Sequence, residues 1–165
     1  LPDHDKAYIS KREMIEDIVT MMGGRVAEEM IFGEINTGAS SDIQRATKVA
    51  TEMVTKYGMS DKLGSRTFGS NEEIFIGRDY GHAQEYSDAT AALIDEEIDK
   101  IIADAYKQCQ ELLKAHRDEL EAVAQALIEK EVLTGEEFDA VIKSVHEDGS
   151  EASVQEESAE RQDNE

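Results

Sequence analysis

The fold turns on one stretch: Asn36-Thr37-Gly38-Ala39-Ser40-Ser41-Asp42-Ile43-Gln44-Arg45-Ala46-Thr47-Lys48-Val49-Ala50-Thr51-Glu52-Met53-Val54-Thr55-Lys56-Tyr57-Gly58. Small residues give way at Ser40 and Ser41 to an amphipathic run that Gly58 closes as a natural C-cap. Ser41 stands three residues before Gln44, the spacing of a capping box. Asp42 falls in the first turn, where a carboxylate meets the positive end of a helix. Its spacing to Ala46, Val49 and Met53 puts it at the rim of an apolar face. The residues alone leave Asp42 as a helix-start acid or as a metal ligand held at a rigid helix end. One carboxylate does not establish a zinc site, which takes three protein ligands or more.

Upstream, Ser10-Lys11-Arg12-Glu13 is a second capping box. Met14, Ile15, Ile18, Val19, Met22, Val26, Ala27, Met30 and Ile31 then recur every three or four residues. The spacing predicts a helix over about 10–32. Gly23 and Gly24 interrupt it, each costing roughly 1 kcal/mol against alanine. Either another backbone approaches closely there, or the element breaks in two. Of the adjacent Glu28 and Glu29, at most one reaches a buried site comfortably.

Downstream, helices are expected over about 41–57, 87–114, 117–130 and 135–144, the last opened by the capping box Thr134-Gly135-Glu136-Glu137. Between them, Thr67-Phe68 and Ile74-Phe75-Ile76 predict a small β-hairpin or irregular strand pair near 65–78. The fold class is thus mainly α, a helical bundle with that hairpin and a disordered acidic C-terminal tail. The expected organisation is one domain over 1–146 and a tail over 147–165. The tail holds eight acids against one arginine, too polar to order itself.

Composition narrows the function. The 165 residues carry a formal net charge of -21, which argues against non-specific binding to nucleic acid and to anionic lipid. No run approaches a transmembrane span. The single cysteine, Cys109, rules out an internal disulfide and reads as a packing residue. The four histidines, His4, His82, His116 and His146, are scattered and show no metal-ligand spacing. There is no phosphate-binding Gly-x-x-x-x-Gly-Lys loop and no His-Glu-x-x-His signature. The chain opens Leu-Pro-Asp-His and reads as a piece of a longer protein. Physical reading alone favours a non-catalytic helical scaffold or oligomerisation module over part of an enzyme.

Several motifs nevertheless occur together: Gly23-Gly24-Arg25-Val26-Ala27-Glu28-Glu29, Thr37-Gly38-Ala39-Ser40-Ser41-Asp42-Ile43, Met53-Val54-Thr55-Lys56-Tyr57-Gly58-Met59-Ser60, Phe75-Ile76-Gly77-Arg78 and Ile94-Asp95-Glu96-Glu97. In this order and spacing they resemble the C-terminal part of the peptidase domain of the FtsH family, membrane-anchored ATP-dependent zinc metalloproteases. The resemblance covers nearly all of residues 1–143. It implies that Asp42 is the third zinc ligand and that Glu28 lies near the catalytic centre in a supporting role. The His-Glu-x-x-His helix, with two zinc histidines and the general-base glutamate, would lie upstream of Leu1, so no catalytic residue is expected in this chain. The resemblance also implies one zinc per subunit in the parent and ATP with magnesium on a separate ATPase module. Neither zinc nor nucleotide is expected on this fragment, which would be soluble and inactive alone. For the parent it implies protein substrates, a homo-hexamer and no nucleic-acid partner. Attachment to the bacterial plasma membrane would run through upstream segments, with the peptidase domain cytoplasmic; relatives would sit in organellar inner or thylakoid membranes.

Overall fold

A computed structural model describes residues 8–68 and 86–147. The chain divides into two compact units, Leu1–Glu111 and Leu112–Glu165. In the first, α1 spans Lys11–Phe32, a 3₁₀ turn spans Thr37–Ala39, α2 spans Ser40–Thr55, and α3, Asp88–Ala115, contributes most of its length. The second holds the end of α3, then α4, Arg117–Lys130, and α5, residues 135–147. The tail beyond 147, His4 and His82 lie outside the described residues.

Local chemistry sets the ends of α1. Glu13 N–H donates to Ser10 Oγ at 3.2 Å, and Ser10 N–H donates to Glu13 Oε2 at 2.9 Å, so two of the helix's orphan amides are satisfied reciprocally. Gly33, at φ 68°, closes the other end, its N–H donating to Glu29 O. The helix runs unbroken through Gly23 and Gly24, which settles the choice between one helix and two. Among the described residues no backbone closes on them, however. A Cβ built on either glycine meets nothing within 4 Å.

α1 packs on α2, α1 burying Met14, Ile18, Val19, Met22 and Val26 and α2 burying Ala46, Ala50, Met53 and Val54. The alanines keep the two helices close, while the branched and thioether side chains fill the space between. α2 also buries Thr51 and Thr55. Their hydroxyls, with that of Thr47, each donate to the carbonyl four residues back at 2.8 Å. The helix thereby absorbs its own polar groups and can bury that face.

The start of α2 differs from expectation. Ser41 does not cap it. The 3₁₀ turn feeds straight in, Ser40 N–H donates to Thr37 O, and Ala39 at the cap position offers no side-chain bond. The expected hairpin near 65–78 is also corrected: no strand occurs among the described residues, where the only bridge is an isolated one between Ser60 and Gly64. Phe68 explains this. Its N–H donates to Thr55 O at 2.8 Å, closing the end of α2 instead of pairing with a strand. Its ring is buried against Val54 and Ile94 and meets Tyr86 edge-on at 5.8 Å. The run Ile74–Ile76 lies outside the described residues.

The loop between α2 and Phe68 is stitched to both neighbouring helices. Lys11 reaches Asp61 at 2.8 Å from α1. From α3, Glu97, only 4% exposed, accepts from Ser60 Oγ at 2.7 Å and from Lys62 N–H at 3.4 Å. The Ser60 hydroxyl holds the Glu97 carboxyl below the ordinary range, against the opposing effect of burial. A carboxyl depressed in the folded state stabilises above its unfolded pKa, and that stability is lost as pH falls through the folded value. Glu97→Gln is therefore expected to cost about 1–2 kcal/mol at neutral pH. It should also flatten part of the stability loss below about pH 4. Urea melts across that range check this, and an acid limb identical to wild type would refute it.

In the second unit, Thr134 and Glu137 form the capping box of α5, with Thr134 N–H donating to Glu137 Oε2 at 2.9 Å. Together with Lys130 from α4, at 2.9 Å, this bond brings the Glu137 carboxyl down to about 2. His116 and His146 both meet Glu119 Oε1, at 2.8 and 3.3 Å.

Candidate functional site

The C-terminal turn of α1 carries Arg25, Glu28 and Glu29, and the chain folds back from it into the 3₁₀ turn and the start of α2. Arg25 Nη1 donates to Asn36 O at 3.5 Å, bracing the intervening loop. Glu28 Oε1 lies 3.8 Å from the place a Cβ on Gly38 would occupy, so its carboxylate stands over the turn that leads into α2. Its other oxygen, Oε2, is buried and has no hydrogen-bond partner among the described residues. Glu29, next in sequence, turns instead to α3 and accepts from the Tyr106 hydroxyl. The expectation that only one of the two glutamates reaches inward is thus too simple. Adjacent helical residues point about 100° apart, and here each finds a separate enclosure.

Asp42 sits in the first turn of α2 with its side chain 45% exposed, 3.8 Å from Arg45 Nη1. Solvent screens such a pair, so it constrains the carboxylate weakly. Glu28 and Asp42 therefore both border the Thr37–Ala39 turn at one pole of the first unit, Glu28 over Gly38 and Asp42 three residues past Ala39 on α2. A methyl group at Gly38 would meet that carboxylate at an ordinary contact distance of 3.8 Å.

The donor set has a limit. Among the described residues no group of three or more His, Cys, Asp and Glu could hold a metal. Glu28 and Asp42 are two carboxylates, fewer than the three protein ligands that a zinc site takes. Burial pushes the Cys109 thiol up, away from nucleophilic character. His116 and His146 belong to the second unit and are engaged with Glu119.

Two buried polar contacts escaped sequence reading, Tyr106 with Glu29 and Glu97 with Ser60. Tyr106 reads as one more inner-face residue of α3, and Glu97 as one of several charges in Asp95-Glu96-Glu97; no local spacing marks either.

The model of peptidase family M41 matches residues 1–141. The chain is 58% identical over 139 residues to the ATP-dependent zinc metalloprotease FtsH of Caldicellulosiruptor bescii, covering 84% of this chain and 23% of that protein. It is 55% identical over 142 residues to FtsH 1 of a Thermoanaerobacter species, covering 86% and 23%. Against FtsH of Bacillus subtilis it is 46% identical over 144 residues, again covering 86% and 23%. The chain thus spans less than a quarter of the length of these curated relatives. No helix among the described residues is long and apolar enough to cross a membrane.

Proposed function

Since the chain belongs to peptidase family M41, we propose that it is the C-terminal part of the peptidase domain of an ATP-dependent zinc metalloendopeptidase. In this reading it supplies Asp42 as one zinc ligand and the helical scaffold behind it. The observation that supports the reading is Asp42 itself: an accessible carboxylate on the first turn of a well-packed helix, just past the turn that Glu28 overlies. Bound zinc would polarise a peptide carbonyl and lower the pKa of a water molecule. The contribution of this chain is to hold one ligand oxygen on a rigid element. Glu28 acts in support, over the turn that leads to Asp42. The remaining ligands and the general base come from other parts of the full-length protein, as do ATP hydrolysis and membrane attachment. Its substrates are proteins, in line with the protease named among its relatives, and its assembly is a homo-hexamer.

Metal content tests the reading. Full-length protein, dialysed and measured by plasma mass spectrometry, is expected to retain about one zinc per chain, as a site with three protein ligands would. Residues 1–165 alone are expected to retain none. Stoichiometric zinc on this chain alone would overturn the division of ligands proposed, and a metal-free full-length protein that still degrades its substrates would overturn the class.

A further inference from the structure

We propose that Tyr106 is a positioning residue for the pole occupied by Glu28 and Asp42: through Glu29 it pins the C-terminal end of α1, beyond its last buried apolar residue Val26, and so holds the neighbouring Glu28 over the Thr37–Ala39 turn. The significance of this for metal binding rests on the reading of Asp42 as a ligand; the positioning itself does not.

The argument begins with Glu28. A carboxylate oxygen buried without a partner is unfavourable by about 1–3 kcal/mol or more, so Glu28 does not hold that position by its own preference. The backbone that carries it must be fixed by other contacts. On the loop side, Arg25 reaches Asn36 O. On the α3 side, the fixing contact is the Tyr106 hydroxyl on Glu29 Oε2, a charge-assisted bond in a partly buried setting. Burial, then the Glu29 bond, push the Tyr106 hydroxyl up to about 12, so it stays a donor throughout the neutral range. Because Glu28 and Glu29 are consecutive, a rotation of α1 that released Glu29 would swing Glu28 by the same angle. Gly33 ends the helix four residues later, and the chain from there to Gly38 is short, so the turn before Asp42 would feel that rotation directly.

Tyr106→Phe keeps the ring and removes the hydroxyl. In the 165-residue chain it is expected to shift the Glu28 side-chain carboxyl ¹³C resonance and the amide resonances of Gly38 to Ile43. The control is Cys109→Ala, which trims a buried contact one turn along α3 and leaves the hydroxyl in place. It should lower the urea midpoint while leaving those resonances where they were. In full-length protein Tyr106→Phe is expected to weaken zinc affinity on the order of tenfold. Wild-type resonances from Gly38 to Ile43 in Tyr106→Phe would overturn the proposal, as would equal shifts in Cys109→Ala. Shifted resonances with unchanged zinc affinity would uphold the positioning and count against Asp42 as a ligand.

Discussion

Asp42→Asn in the full-length protein is expected to lose zinc affinity by at least about a hundredfold and proteolysis with it, while α2 stays folded. The two effects separate because of where the residue sits. Its side chain is 45% exposed and its ion pair with Arg45 is long and screened, so that pair contributes close to nothing. What the helix loses is a first-turn acid, about 0.3–1 kcal/mol. Asparagine keeps the shape and one oxygen but loses the charge that a divalent cation needs. Metal content after dialysis, read beside a thermal melt, checks both halves. Zinc retention and degradation at wild-type levels would remove Asp42 from the site. A collapse of helicity would instead make it structural.

Gly58→Ala is expected to destabilise this chain by about 2–3 kcal/mol. Gly58 has φ 59°, and a Cβ there would lie 3.1–3.2 Å from backbone atoms of Ser65 and Arg66. Those atoms cannot easily retreat. Arg66 N–H is bonded to Gly64 O at 2.9 Å, and Phe68 N–H to Thr55 O at 2.8 Å, just beyond them. Gly64 is the internal comparison: φ 69°, with nothing within 4 Å of its Cβ position. Alanine at Gly64 should cost only the left-handed backbone penalty, about 1 kcal/mol. Urea denaturation of both variants measures the difference. Equal losses would mean that the approach of Ser65 to Gly58 is loose.

What was legible in the sequence was local chemistry. Ser10 with Glu13 and Thr134 with Glu137 announce helix starts because type and spacing suffice to form both bonds. Ser41 with Gln44 has comparable spacing and fails, because the helix already begins at Ser40, which puts Ser41 inside it rather than at its cap. The hairpin failed for a different reason. Thr and Phe suit a strand and a buried loop anchor equally, and which one they become is decided by Val54 and Ile94, distant in sequence. Periodicity placed Asp42 at the edge of an apolar face. It could not say that Glu28 would stand over the turn before it, since that depends on a tyrosine 78 residues further on. Metal chemistry at that pole is a proposal that grows from the likeness to known proteases, not from the helical pattern.

The two adjacent glycines of α1 leave two successive positions of that helix without a side chain, and among the described residues no atom lies within 4 Å of where either Cβ would stand. Alanine at both would suit the helix better by roughly 1–2 kcal/mol in total. As a freestanding body, then, the unit is less cohesive than its backbone permits. That shortfall lies wholly in two residues of α1, Gly23 and Gly24.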